Sequence, residues 1–251
     1  MQSTIMRSAL FLLLAAFLFG CGSGSSEVPA ANAEADQHAS PATDSTHQHE
    51  AHEHHHHHHD ANHHMHQRPI EELIAAFDAP ERDAWQKPDA VLDLLEPLKG
   101  KTVADIGAGS GYFALRLAER GATVLALDID DRFLQHINTQ AAARNLSNIE
   151  TRKVPENGPG MDEGEADAVM IVNTYHHIHQ RAHYFAQVRK ALRSNGVLMV
   201  VDYAMKETAH GPPMELRMPP AQVEAELLAA GFTTVTQDST TLPYQYIIVA
   251  Q

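Results

Sequence analysis

Cysteine occurs once in 251 residues, at Cys21. The chain therefore forms no internal disulfide and builds no cysteine-ligated metal cluster. Positive charge is scarce: 18 Lys and Arg stand against 32 Asp and Glu, a formal net charge of −14. That balance repels phosphate backbones, so no nucleic-acid partner is expected. Between Arg7 and Arg68 there is no Lys or Arg at all. Long apolar runs are missing too. Ala9–Phe19 has eleven apolar residues, about 16 Å of helix against a hydrocarbon core of roughly 30 Å, too short to span a membrane. What is present is an apolar content of 43%, which excludes disorder of the whole chain and supports one substantial domain with an appendage.

Cys21 closes a short N-terminal segment. Arg7 supplies a positive charge, Ala9–Phe19 an apolar stretch, and Gly20 a small residue ahead of the cysteine, the layout of a secretory signal. Leu18-Phe19-Gly20-Cys21 resembles the lipobox of a bacterial lipoprotein. The resemblance implies a signal peptide over 1–20, cleavage before Cys21, and acylation of that cysteine. Gly22, where Asp would favour inner-membrane retention, implies the bacterial cell envelope as location: lipid-anchored, in the outer membrane, facing the periplasm. Several acyl chains on one residue give a stable anchor, because each buried methylene contributes about 0.8 kcal/mol.

Residues 21–67 are rich in Gly, Ser, Ala and Pro without apolar periodicity, which predicts a disordered tether. Thirteen of the 19 histidines fall within it, including the run His54, His55, His56, His57, His58 and His59. Neutral imidazole ligates Zn, Ni or Cu. The tract reads as a candidate metal binder, and equally as a solvated spacer.

From residue 68 onward, strand and helix signals alternate. Short apolar strands are predicted at Lys101–Ile106, Thr123–Leu127, Asn148–Val154, Ala166–Val172 and Gly196–Asp202. Helices are predicted at Tyr112–Arg120, from the cap Asp130 to Arg144, at Tyr184–Leu192, and from Pro219-Pro220 to Ala230. Two closing strands, near Phe232–Gln237 and Gln245–Ala250, have only a short Pro-containing link. The pattern predicts an α/β fold: a doubly wound, Rossmann-like, seven-stranded sheet with a C-terminal antiparallel hairpin.

The loop after the first strand reads Asp105-Ile106-Gly107-Ala108-Gly109-Ser110-Gly111. Glycine permits a tight turn and a close ligand approach, and the loop meets a helix N-terminus with free N–H groups. A dinucleotide fingerprint needs glycine where Tyr112 stands, and a phosphate-cradling loop needs a Gly-Lys-Ser/Thr triplet that the chain lacks. Val103–Ala118 resembles the first motif of class I S-adenosylmethionine-dependent methyltransferases. The resemblance extends over most of 101–250, including the acid that ends strand two, Asp128. It implies that Gly107, Ala108, Gly109 and Gly111 pass beneath the methionine portion of S-adenosylmethionine. It also implies that Asp105 helps hold the ammonium group, that Asp128, beside Ile129, accepts the ribose hydroxyls, and that Glu156 or Asn157 faces the adenine. Asn173, at the end of strand four, completes this set.

Strand four runs into Asn173-Thr174-Tyr175-His176-His177-Ile178-His179. Ligands of open α/β sheets lie beyond the carboxyl ends of the strands, so His176 and His177 are the catalytic candidates. Methyl transfer needs a base only where the nucleophile carries a proton, and imidazole titrates close to neutrality. The His-His pair is similar to that of small-molecule methyltransferases, which implies a small or lipophilic methyl acceptor. The domain reading is thus an enzyme over 68–251 carried on a lipidated tether. Its competitor is an exported metal- or ligand-binding lipoprotein on a methyltransferase scaffold. Trp85, the only tryptophan, belongs either to the core or to a cover over the ligand, and the stretch Tyr203–Met218 has the length of a substrate-facing lid.

Overall fold

The computed structural model describes residues 68–251. Cys21, the predicted tether and His54–His59 lie outside them. Three short helices open the described part: α1 (Ile70–Phe77), α2 (Arg82–Gln86) and α3 (Pro88–Asp93). Then come β1 (Thr102–Ile106), α4 (Tyr112–Glu119), β2 (Thr123–Asp128), α5 (Asp131–Ala143), β3 (Ile149–Lys153) and β4 (Ala166–Val172). After β4 follow α6 (Arg181–Ala191), β5 (Leu192–Tyr203), α7 (Pro220–Ala229), β6 (Val235–Asp238) and β7 (Gln245–Ala250).

The strands form one seven-stranded sheet in the order β3-β2-β1-β4-β5-β7-β6. The first five are parallel, and β7 runs antiparallel between β5 and β6. The expected fold class and its closing hairpin are both present. Strand order reverses between β1 and β4, and the crevice beyond their carboxyl ends is where open sheets of this kind place a ligand.

Each face of the sheet carries a core. Alternate residues of β4 divide between them: Val169 and Ile171 pack with Leu198, Val200, Phe185 and Leu227 on one side. Ala168, Met170 and Val172 pack with Met199, Val201, Leu92 and Leu117 on the other. A central parallel strand is covered on both faces, which is why β4 reads as a continuous apolar run from Ala168 to Val172, after Asp167. Asp130 caps α5 as expected, its carboxylate accepting the N–H of Arg132. Some boundaries differ from expectation, among them the start of β6, which is Val235 and not Phe232. The helix predicted at Tyr184–Leu192 opens at Arg181, whose guanidinium reaches Glu226 of α7 at 2.7 Å. It closes at Ala191, because Leu192 already pairs with Ala166 and makes β5 start before Gly196. No described helix is long and apolar enough to cross a membrane.

Candidate active site

Beyond the carboxyl ends of β1, β2, β4 and β5 lies a cavity of about 790 Å³. Its floor is the loop between β1 and α4. Gly107 has φ +73°, and a Cβ there would stand 2.5 Å from Cγ2 of Thr174, so only glycine fits against the end of β4. Gly109 donates its N–H to Oδ2 of Asp128 at 2.9 Å, tying the loop to the next strand end. The other oxygen of Asp128 accepts the N–H of Asp130 at 3.0 Å. Lone pairs remain on both oxygens.

Asp105 and Asp128 end adjacent strands and are both buried. Burial pushes the Asp105 carboxyl up to about 7, and the negative charge of Asp128 adds to the shift while Arg82 opposes it. Burial also raises Asp128, against the hydrogen bonds that favour its ionised form. Two sequestered carboxylates close enough to repel one another are relieved by a cation.

The N-terminal helices close one side. Phe77, the last residue of α1, lies over Gly109 and stacks on Phe133 of α5 at 5.6 Å. Ser110 donates to Asp78 at 2.6 Å, and Arg82 donates from Nη1 to the Phe77 carbonyl at 2.6 Å. The Arg82 guanidinium sits 3.8 Å over the ring of Tyr112, whose hydroxyl bonds to Asp83. Nε of Arg82 is buried without a hydrogen-bond partner. Gln86 donates to Gln245 of β7 at 2.8 Å, and Gln245 in turn donates to Asn173. This chain of amides fixes the end of β4, where Asn173 adopts φ +56°, a left-handed conformation that Asn tolerates better than most residues.

The opposite wall is histidine and aromatic. A 3₁₀ turn, Tyr175–His177, follows β4. Nδ1 of His176 lies 3.0 Å from both oxygens of Asp202 at the end of β5. Asp202 is fully buried and also accepts the N–H of Tyr203 at 2.8 Å. His177 packs on His176 at 4.2 Å. Burial, with the neighbouring imidazole of His176 second, pushes His177 down to about 4, so it stays neutral at ordinary pH. Trp85 stacks on His210 at 5.2 Å and lies 6.3 Å from Tyr203. The loop that carries His210 is pinned by Arg217, which donates to the carbonyls of Pro212, Ala204 and Lys206 and to Oγ1 of Thr208. Gly211, at φ +109°, lets the loop cross the Tyr203 ring, where a Cβ would stand 2.5 Å from Cδ1.

The cavity brings together Asp105, Gly107, Ala108, Gly109, Asp128, Ile129, Glu156, Asn173, His176 and His177. Two expected residues lie elsewhere. Gly111 is the left-handed cap of α4, φ +83°, and a Cβ there would stand 2.8 Å from Ile137, so it serves packing behind the loop. Asn157 is not among the cavity residues, and its carbonyl accepts from Gln187 of α6 at 3.3 Å. Trp85 resolves to the cavity wall and not the core. Asp202 was not singled out by the sequence. An acid ending an apolar strand, as Asp105 and Asp128 do, was the available signal for Asp202. Among the described residues no group of three or more His, Cys, Asp or Glu side chains is arranged to hold a metal ion.

Comparison with known proteins agrees with this geometry. Residues 103–196 match the family described as a methyltransferase domain. A tRNA U34 carboxymethyltransferase of Pseudoalteromonas translucida is 34% identical over 126 residues, 49% of this chain and 38% of that protein. An uncharacterized methyltransferase of Mycobacterium bovis is 31% identical over 127 residues, 49% of this chain and 61% of that protein. The chain thus matches between 38% and 61% of the length of these two relatives. The crystal structure of a SAM dependent methyltransferase from Aquifex aeolicus superposes with a TM-score of 0.65 at 22% identity, covering 73% of this chain and 98% of that one. Residues 103–196 thus resemble a methyltransferase domain, and they are set in a sheet with the fold seen in the Aquifex aeolicus SAM dependent methyltransferase.

Proposed function

We propose that the chain transfers the methyl group of S-adenosylmethionine to a small or lipophilic acceptor bound in the same cavity. The observation that carries this reading is the contact set Gly107–Thr174 and Gly109–Asp128. It clears a close approach over the loop and leaves carboxylate lone pairs free at a strand end. A nucleoside ribose matches Asp128, since two adjacent hydroxyls suit two carboxylate oxygens. Asp105 suits an ammonium group, and its repulsion with Asp128 is relieved by the positive charge of the donor. Arg82, with a buried N–H unpaired, suits a carboxylate. Glu156 and Ile129 line the cavity where they are available to an adenine. The bound donor supplies an electrophilic methyl on a sulfonium. The protein aligns the acceptor with it, excludes water, and takes up any proton the acceptor gives up.

Thermal denaturation of the full chain tests the reading. S-adenosylhomocysteine at 100 times its Kd should stabilise by about 2.7 kcal/mol, and adenosine alone by less. No shift with either S-adenosylmethionine or S-adenosylhomocysteine contradicts it.

The reading extends to the N-terminal part on the strength of its sequence. Cys21 is acylated after removal of 1–20, and the domain is held at the cell envelope, at the outer membrane on its periplasmic side. His54–His59 bind Zn, Ni or Cu on the tether, independently of methyl transfer. Cys21→Ser should accumulate uncleaved and lose incorporation of labelled fatty acid. Equal labelling of the variant and the wild type contradicts the anchor.

A further inference from the structure

Part of the cavity wall has no task in holding the donor. Trp85, Tyr203, His210, Pro213 and Leu216 line it. Trp85 and His210 stack at 18° between planes, and Tyr203 lies tilted at 39° to Trp85. Apolar, flat-faced walls of this kind take planar rings, which gain from offset or edge contacts. Arg217, the cation beneath this wall, is engaged by four bonds within its own loop.

The wall adjoins a histidine whose setting suits it to take a proton. A carboxylate on Nδ1 of a histidine fixes the tautomer that leaves Nε2 with its lone pair. His176 is so held by Asp202, and it is one of the residues that line the cavity. His177 is too weak a base to compete, since its imidazole is held near 4. A base matters for a nucleophile that keeps its proton near neutrality yet yields it to imidazole. Aliphatic alcohols ionise too far above that range, and thiols, near 8.5, need little help. A phenolic hydroxyl, near 10, falls between them.

Resting on the methyltransferase reading, we infer that the acceptor is a flat ring bearing a phenolic hydroxyl, seated against Trp85 and Tyr203 and deprotonated by His176. Asp202 acts as the positioning residue. The hydroxyl proton passes to Nε2 of His176 while the oxygen bonds to the methyl carbon. The carbon–sulfur bond breaks with its electron pair left on sulfur, so a sulfonium becomes a neutral thioether. The imidazolium then gives its proton to water. The products are an aryl methyl ether, S-adenosylhomocysteine and one proton.

Trp85 is the only tryptophan, so its emission reports on this wall. In the full chain saturated with S-adenosylhomocysteine, catechol and p-cresol should quench that emission saturably, and cyclohexane-1,2-diol should not. With S-adenosylmethionine, catechol should give its methyl ether. His176→Gln should lower kcat by about 100-fold or more with the acceptor KM within about threefold. The loss should shrink for 4-nitrocatechol, whose hydroxyl ionises without help. Asp202→Asn should move kcat in the same direction. Where that variant fails to fold, His176→Gln alone decides. Absence of quenching by either phenol in protein that binds S-adenosylhomocysteine overturns the acceptor assignment and leaves the methyltransferase reading intact. Failure of S-adenosylhomocysteine to bind brings down both. An equal kcat loss for catechol and 4-nitrocatechol overturns the role of His176.

Discussion

The glycine-loop side of the cavity and its aromatic side are built by different means. The first is one contiguous stretch, Asp105–Gly111, plus the end of β2, and its contacts set loop backbone against side chains: the Gly109 N–H to the Asp128 carboxylate, and Gly107 against the Thr174 side chain. The second is assembled from α2, the end of β4 and the end of β5 with its loop, and its contacts run through side chains: His176 to Asp202, and Trp85 to His210 and Tyr203. A backbone-built surface offers the same groups whatever the surrounding sequence becomes. A side-chain wall on loops is retuned one residue at a time. On the proposed function, the comparison teaches that the fold holds the methyl donor while the acceptor is chosen by residues the fold leaves free.

The difference breaks most sharply at Gly107. Gly107→Ala imposes a left-handed conformation costing about 1–2 kcal/mol on a non-glycine residue and an overpacking cost of about 1–3 kcal/mol against Thr174. The expected outcome is a loss of S-adenosylhomocysteine affinity of about 100-fold or more by calorimetry. Wild-type affinity in this variant contradicts a backbone-built donor side.

Asp105 sharpens the same side through pH. Its carboxyl is raised from the ordinary range to about 7 in the folded protein. Through Asp105 the folded state binds more protons than the unfolded one between about pH 4 and pH 7, so this carboxyl's contribution to stability falls as pH rises through that window and levels off above it, opposite in sign to that of His177. Asp105→Asn should melt higher than wild type at pH 8 and no higher at pH 4, by scanning calorimetry. The cationic donor needs Asp105 ionised, so wild-type affinity should rise roughly tenfold from pH 6 to pH 8, and Asp105→Asn should lose that rise.

On the aromatic side the expectation is reversed: donor affinity holds and acceptor use fails. Arg217→Met removes charge-assisted bonds worth about 1.5–3 kcal/mol each and frees the loop carrying His210. The acceptor KM should rise about tenfold with donor Kd within about twofold. Trp85→Leu is the mildest break. Loss of ring contacts worth about 0.5–1.5 kcal/mol should raise the acceptor KM a few-fold, again with donor Kd unchanged. Equal loss of donor and acceptor binding in either variant contradicts the division.

The same contrast governs how much could be read in the sequence. The strands were legible because a doubly covered parallel strand is rich in consecutive apolar residues, as in Ala168–Val172, and the helix at Asp131–Ala143 because Asp130 caps it. The glycine-loop side of the cavity was legible because its glycines and Asp105 are sequence neighbours. The start of β5 was not, because Leu192 is drawn from the helix by pairing with Ala166. Asp202 sits 26 residues from His176, and Gln86 sits 159 residues from Gln245. No local pattern announces such pairs, since tertiary packing alone makes them neighbours. Gly111 shows the converse: a glycine within the motif whose work is to let α4 pack on Ile137.

Calorimetric titration of the full chain with S-adenosylhomocysteine, wild type beside Asp128→Ala, tests the central claim most directly. Loss of a charge-assisted bond costs about 1.5–3 kcal/mol. The account predicts one site in the wild type and an affinity at least about tenfold weaker in Asp128→Ala. No heat from the wild type, or equal affinity in the two proteins, would contradict it.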